Sequence, residues 1–571
     1  MRKHLLLFIL TALVACAHKE SYKKISLDQY RDKMKGAWIG QMAGVGWGLP
    51  TEFDFIDRII PEDKVPSWET TMINQHGNDD LFVEMTFLST MEKYGIDVDV
   101  RQAGIDFANT GYGLWAANRT GRENLRSGMA PPESGHPLHN VNCEDIDYQI
   151  EADYSGIIAP GMPNVAIGLG EKFGRMMNYG DGVYGGQFVG GMYAAAYFTN
   201  DVEEIIREGL KCIPKECNYA KCVGDVINWH LEYPDDWKKC WEQIMNKYYR
   251  TLDDQPFHQQ NKEAWVGIDA KINGAFIVLG LLYGGGDMDQ TILYAMRCGL
   301  DSDCNPSNAA GILGCAMGYR DLPEKFKSGL DTAAKFSYSN YNFDSLLRVS
   351  EFLTREFVIR NGGKILKERQ GEEIFYIKNR EVLPSEFKPA YDPGPFDEAN
   401  RYSGAAYSKI LAYSYTDFAP LFEEAAPGWK IFHAGKNSET KWISFEGKDK
   451  VLAISPMSEN RSASLEFTIQ TINVNDAGVE QNAKAFESGM VSFFLNSEDH
   501  KPYSFTFTIA GNGKRSQIKE TIDGAELKGW KKIEVPFDIA KGQLPQIRLD
   551  IHAFDGEMNR AYLSGLDVTL K

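Results

Sequence analysis

Two periodicities divide this chain. From about residue 26 to residue 380, apolar positions recur at helical spacing between glycine and Asn/Asp turns. After Asn78 the residues Phe82, Met85, Leu88 and Met91 form one stripe that stops at Gly95, which predicts a helix with Asn78 as its N-cap. Gly36, Gly40 and Gly44 stand four apart on one face of an earlier helix and predict a close approach to a neighbour. Gly180 to Phe198 reads as a glycine turn entering a small-residue helix. Trp265 to Tyr283 is apolar on most sides, as a central helix would be.

Beyond about Trp429 apolar and polar residues alternate with period two. Runs at 463–470, 491–495, 503–509, 532–537, 546–552 and 565–570, separated by Gly/Asn/Asp turns, predict the short strands of a β-sandwich or jelly roll. Four prolines between Pro384 and Pro395 mark a linker or a wrapped segment. The expected organisation is therefore multidomain: an all-α domain over 21–385, a connecting segment over 386–428 and a β-sandwich over 429–571. In an exported protein such an appendage binds carbohydrate or merely supports the domain before it.

At 571 residues two or more domains are the natural division. A formal charge of -18 argues against nucleic acid as a partner, since phosphate backbones are held by clustered Lys and Arg. Arg2, Lys3 and His4 precede the apolar run Leu5 to Val14, which is too short to span a bilayer and reads as a targeting segment over residues 1–20. Leu13-Val14-Ala15-Cys16 resembles a bacterial lipobox. That resemblance implies lipidation at Cys16, export, and a membrane partner through a lipid anchor at the outer membrane of the bacterial envelope. The other eight cysteines contain no C-x-x-C pair, so a zinc ribbon is disfavoured, and their pairing stays open.

The candidate chemistry is acidic. Asp79 and Asp80 open the helix after Asn78, and Asp301 and Asp303 stand just before another, for which Asn305 is the expected N-cap and Pro306 the first residue. Carboxylate pairs at two helix mouths suit hard divalent cations that take oxygen ligands. Glu52 lies just past the glycine-striped helix. The polar stretch 109–141, with His136, His139 and Asn140, is a candidate substrate loop or a disordered insertion. Glu144, Asp145, Asp147, Glu151 and Asp153 form either a solvated face or a cleft lining. Asn164, Asp181 and Tyr184 complete the candidate substrate-binding set. No Walker pattern and no G-x-G-x-x-G between a strand and a helix is present.

Taken together, Gly36 to Glu52, Asn78-Asp79-Asp80 and Asp301-Ser302-Asp303-Cys304 with its small-residue helix to Gly318 resemble the ADP-ribosylglycohydrolase family, over roughly residues 26 to 380. The resemblance implies an all-helical catalytic domain and one or two Mg2+ ions held by Asn78, Asp79, Asp80, Asp301, Asp303 and Cys304. It also implies glycosidic-bond hydrolysis with Glu52, Asp80 and Asp303 as catalytic residues. Three positions depart from the family pattern: Gln41 and Cys304 replace Asp and Thr, and Asn78 replaces Thr. A thiol is a soft ligand that magnesium does not favour. The implied substrate is ADP-ribosylated or a related glycoside. Two alternatives are an exported glycoside hydrolase acting on external glycans and a non-catalytic surface glycan-binding lipoprotein.

Overall fold

The computed structural model describes residues 21–410 except 127, 263, 369–370, 398, 404–405 and 407–408. Beyond them it describes ten strands between Trp429 and Leu570 with the turn residues 446–447 and 529–530. Residues 1–20, and with them the lipidation site expected at Cys16, lie outside the described residues. No helix among the described residues is long and apolar enough to cross a membrane.

The helical domain is built on one pair of helices. Leu27–Gly48 begins at Ser26, whose side chain accepts from the Gln29 N–H at 3.2 Å. It runs antiparallel to Cys304–Met317 with almost no side chain between the two backbones. A Cβ added at Gly36, Gly40, Gly44 or Gly48 would come within 3 Å of main-chain atoms at Gly318, Ala310, Ser307 and Asp303 in turn. The glycine stripe is thus the close-approach face that its spacing predicts. Lys33, itself buried, donates from Nζ to the carbonyls of Ala316 at 2.6 Å and Ala196 at 3.1 Å, satisfying acceptors left open at helix C-termini. Ala270–Gly284, Met288–Arg297 and Asp181–Ala196 also pack on Cys304–Met317. Ala270–Gly284 is buried along nearly its whole length, as its all-round apolar pattern predicts.

One expectation is corrected here. The later helix starts at Cys304, so Asp303 rather than Asn305 holds the N-cap position, with φ -107° and ψ -42°. The reason lies in the Asp301 turn, whose backbone carbonyl and carboxylate accept from the amides of Asn305 at 3.2 Å and Cys304 at 3.4 Å. Pro306 still falls in the first turn, where its missing N–H costs nothing. The domain is helical, as expected, and its two ends are tied together by a small three-stranded antiparallel sheet of Tyr22–Ser26, Glu373–Lys378 and Lys364–Lys367.

After Pro384 the chain runs along the helical domain. Glu386 and Lys388 bond the Tyr184 hydroxyl, Gly394 bonds Tyr179, and Tyr402 is buried. The later strands make two five-stranded antiparallel sheets. One is ordered Lys514–Ile522, Tyr503–Gly511, Gln546–Ala553, Ala463–Thr468, Trp429–His433; the other Lys531–Asp538, Ser488–Ser497, Ala561–Leu570, Lys448–Ser455, Glu439–Phe445. Pro536 sits on Lys531–Asp538, an edge strand, where its lack of a donor does no harm. Ile533, Val535 and Phe537 on that strand are buried and alternate with exposed residues. The eight described cysteines are all buried and unpaired.

Replacing Gly44 by Ala forces a methyl into the main chain of the facing helix, and overpacking of this kind costs about 1–3 kcal/mol. Thermal unfolding of Gly44→Ala should show a clear loss, whereas Gly168→Ala, with open space around its Cα, should melt at or above the wild-type temperature. Equal melting of the two variants would contradict the packing described.

Candidate metal and substrate site

Asn78 caps the Asp79–Tyr94 helix as expected: its Oδ1 accepts from the Asp80 N–H at 2.9 Å. Its amide nitrogen donates to Asp303 Oδ2 at 3.2 Å, so one side chain joins the two acidic mouths. Asp80 is fully buried, and neither of its carboxylate oxygens has a donor within ordinary hydrogen-bond distance, the side chains of Cys304 and Ser307 standing near enough only to offset its burial weakly. A buried acceptor left without a donor is costly unless something else meets it.

Asp301, Asp303 and Cys304 are buried, and each offers an atom within 4.8 Å of the others. The turn that presents them is stapled to the segment carrying Glu52. Phe53 N–H donates to the Leu300 carbonyl at 3.1 Å, Leu300 N–H donates to Phe55 at 3.2 Å, and the hydroxyls of Thr51 and Ser302 meet at 2.8 Å. Leu300 and Phe53 both adopt positive φ, 56° and 53°, a strained conformation that these staples hold. Glu52 itself stands at the exposed mouth. Partial desolvation, and then the carboxylates of Asp303 and Asp79, push its carboxyl up to about 8.

The same causes act throughout the cluster. Burial first, then neighbouring carboxylates, holds Asp80 and Asp303 well above the usual range and takes Asp301 to about 7. Burial also raises Asp79, although the Trp115 indole N–H donates to its Oδ2 at 2.5 Å. Burial and the adjacent aspartates push the Cys304 thiol well up, and its S–H lies 3.6 Å from Asp303 Oδ1. The aspartates are therefore a donor set for a hard cation, whereas Cys304 is a neutral thiol and a poor ligand for one. Asn78, expected as a ligand, spends its amide on capping and on Asp303.

The residues expected to bind substrate are not brought to this site. Asn140 is buried with its amide donating to the carbonyls of Ala117 and Met177. Asn164 bonds the backbone at Glu381 and Leu383, and Tyr184 that at Glu386 and Lys388. His136 is buried against Tyr179 with Nε2 3.0 Å from the Gly394 carbonyl, and exposed His139 rests on Phe396. Asp181 is buried beside Glu144 in a separate group with Lys271 and Asp269. The physical reason is common to most of them: their polar groups satisfy main chain in the 109–141 stretch and the strap after Pro384. That stretch is not one loop, since Ala117–Arg126 is a helix.

What the sequence reading missed is the burial of the acidic run. Asp145, Asp147, Glu151 and Asp153 are all buried, so they do not form a solvated face. Asp147 and Glu151 each feel the Asp79 charge. Glu84, one turn after Asp80, is buried too, bonded by Gln41 Nε2 at 2.6 Å and the Tyr154 N–H at 2.7 Å. A carboxylate at i+4 from Asp80, within an otherwise apolar stripe, was the available signal for it. Trp115 carried none: a single tryptophan in a polar stretch says nothing until its indole is seen on Asp79.

The model of the ADP-ribosylglycohydrolase family matches residues 26–357, which span both acidic mouths. No curated protein matches the chain in sequence. Among solved structures, an "ADP-ribosylglycohydrolase-related protein complex" is similar at 12% identity, with a TM-score of 0.37, over 58% of this chain and 99% of that one. A CBM61 module in complex with beta-1,4-galactotriose is similar at 14% identity, with a TM-score of 0.19, over 26% of this chain and 94% of that module. The CBM22-1 xylan-binding domain of Paenibacillus barcinonensis Xyn10C gives 15%, 0.19, 26% and 90%. With both mouths inside the matched region and their aspartates facing one another, the chain belongs to the ADP-ribosylglycohydrolase family.

Proposed function

We propose that the protein is a metal-dependent hydrolase of a glycosidic bond. The observation that carries this reading is Asp80, whose two oxygens are buried without a hydrogen-bond partner beside Asp301 and Asp303. Asp80, Asp301 and Asp303, with Asp79 at the rim, would hold the divalent cation, and magnesium suits their oxygen atoms. Such a cation supplies charge that fixes sugar hydroxyls and polarises water. The protein's own part is to orient and to move a proton. Glu52, at the mouth, is placed to give a proton to the departing oxygen or to take one from the incoming water as it adds to the anomeric carbon. Trp115 holds the Asp79 carboxylate in place. The N-terminal segment supports an exported protein anchored through Cys16 to the outer membrane.

Removing one metal carboxylate should remove both binding and chemistry. Asp303→Ala is expected to abolish turnover and to lose the magnesium-dependent rise in melting temperature, because a ligand that binds only the folded state stabilises it by about 2.7 kcal/mol at a hundred times its Kd. Glu52→Gln should lower kcat by about 10²–10⁴-fold while keeping that rise. A wild-type melting curve indifferent to magnesium would sink the metal site, and a fully active Glu52→Gln would remove Glu52 from the chemistry.

The buried acids away from the metal also give a pH dependence. Burial raises Asp145 and Asp153 to about 7 and Glu144 to about 8, from ordinary values near 4. A raised carboxyl favours folding while it is protonated in both states, and that contribution disappears as pH rises through its folded value. In EDTA the melting temperature should therefore fall between about pH 5 and pH 8, and less steeply in Asp153→Asn. A flat or rising curve over that window would contradict the burial of these groups.

A further inference from the structure

The small sheet at the start of the helical domain turns outward a face that has no part in the acidic site. Its rows are set by pairing: Lys24 stands opposite Tyr376 and Tyr376 opposite Lys364, while Tyr22 stands opposite Lys378 two residues along. Residues directly paired, and those two apart, share one side of a sheet. Ile25, Phe375 and Ile377 take the other side and are buried in the domain, so Tyr22, Lys24, Lys364, Leu366, Tyr376 and Lys378 line the outer one. The two tyrosine rings meet edge to face at 6.3 Å. Lys24 Nζ lies 4.6 Å from the Tyr376 centroid and Lys364 Nζ 5.2 Å from that of Tyr22, so the rings hold both ammonium groups in place. Leu366 is 46% exposed beside them.

Charge is sorted along this face. At the end where the chain enters, Lys378 and Arg380 converge on Gly362, where an added Cβ would come 3.4 Å and 3.6 Å from their side chains. The Arg380 guanidinium is fixed there by two bonds to the Asn361 carbonyl, at 3.2 Å and 2.9 Å. Glu368 and Glu372 lie at the opposite end, in the turn between Lys364–Lys367 and Glu373–Lys378, and Glu373 is paired with Arg355 at 2.7 Å. Among the described residues Lys24 and Lys364 take part in no ion pair. Lys24, Lys364, Lys378 and Arg380 thus make an anion-seeking surface on a chain whose formal charge is -18.

The connectivity of the chain says which anion. Cys16, the proposed lipidation site, is six residues before Tyr22, and an extended chain covers at most about 3.6 Å per residue, so the anchor holds Tyr22 within about 22 Å of the bilayer. The face tethered closest to lipid therefore carries lysines, tyrosines and an exposed leucine, side chains that settle at a headgroup layer. The same strand continues at Ser26 into Leu27–Gly48, whose 22 residues span about 33 Å and end at the acidic mouth. Sheet and mouth stand at opposite ends of one helix.

We propose that this sheet docks on anionic lipid headgroups, so that the metal and substrate site is held at the far end of Leu27–Gly48 and opens away from the bilayer. The proposal rests on the Cys16 anchor, and its test separates the two. Full-length protein is mixed with vesicles of phosphatidylcholine alone or with phosphatidylglycerol, each doped with a headgroup nitroxide lipid, and floated. A fluorophore is placed at Leu366→Cys or, as the far reporter, at Ile56→Cys, which is 44% exposed and follows Glu52; the eight described native cysteines are buried. Quenching is expected at Leu366→Cys in the anionic vesicles, several-fold weaker in the neutral ones and in high salt, and absent at Ile56→Cys. Lys24→Gln combined with Lys364→Gln should lower the docked-to-undocked ratio about thirtyfold at unchanged melting temperature, the loss of about 1 kcal/mol for each lysine. Flotation with both kinds of vesicle, but with equal quenching in the two, quenching at Ile56→Cys instead, or quenching undiminished in the double variant, would overturn the docking and leave the anchor standing. Flotation with anionic vesicles alone, lost in the double variant, would overturn the anchor and keep the docking surface, and flotation with neither would overturn both.

Discussion

The site depends on a contact from which side chains have been removed. Because Gly36, Gly40, Gly44 and Gly48 put bare backbone against the Cys304–Met317 helix, the end of one helix is set directly on the turn that begins the other. Glu52 follows the first helix and Asp301 to Asp303 precede the second, so the register of two long elements becomes the spacing of the functional carboxylates. The Phe53–Leu300 and Leu300–Phe55 hydrogen bonds and the Thr51–Ser302 contact then fix the last few residues, holding two of them in positive φ. Rigid helices position side chains more precisely than loops do, and the strain concentrated here is tolerated because the surrounding structure over-determines it.

Held in that frame, the acids oppose one another. Asp80 and Asp303 are buried and mutually repelling, and among the described residues no lysine or arginine is paired with them. Two devices make the arrangement tolerable. Most of the outer carboxylates accept from backbone N–H groups or buried amides, as Asp145, Asp147, Glu84 and Glu151 do. Of the inner ones, Asp303 accepts from the Asn78 amide while the Asp80 carboxylate is left unmet, which is the arrangement a bound cation would complete.

Much of this was legible along the chain where local rules act alone. Asn78 and Gly95 bound their helix because capping is a local property, and the period-two runs from Ala463 onward are strands because alternation reflects one covered face. The glycine stripe showed that two helices touch, though not which two. The helix starts at Cys304 rather than after Asn305 because the Asp301 turn, three residues earlier, takes the first amides. Burial of Asp145 to Asp153 was undecidable from spacing, since a solvated acidic face and an acid-lined cleft have the same periodicity. The partners of Asn140, Asn164 and Tyr184 lie tens to hundreds of residues away, beyond what a local pattern carries.

The central claim is that the two acidic mouths form one cation site. It is tested most directly by growing crystals with manganese, a divalent ion that accepts the same oxygen ligands, and measuring anomalous scattering. The account predicts a peak within coordination distance of Asp80, Asp301 and Asp303. A well-diffracting crystal with no peak there, or with manganese only at surface carboxylates, would contradict it.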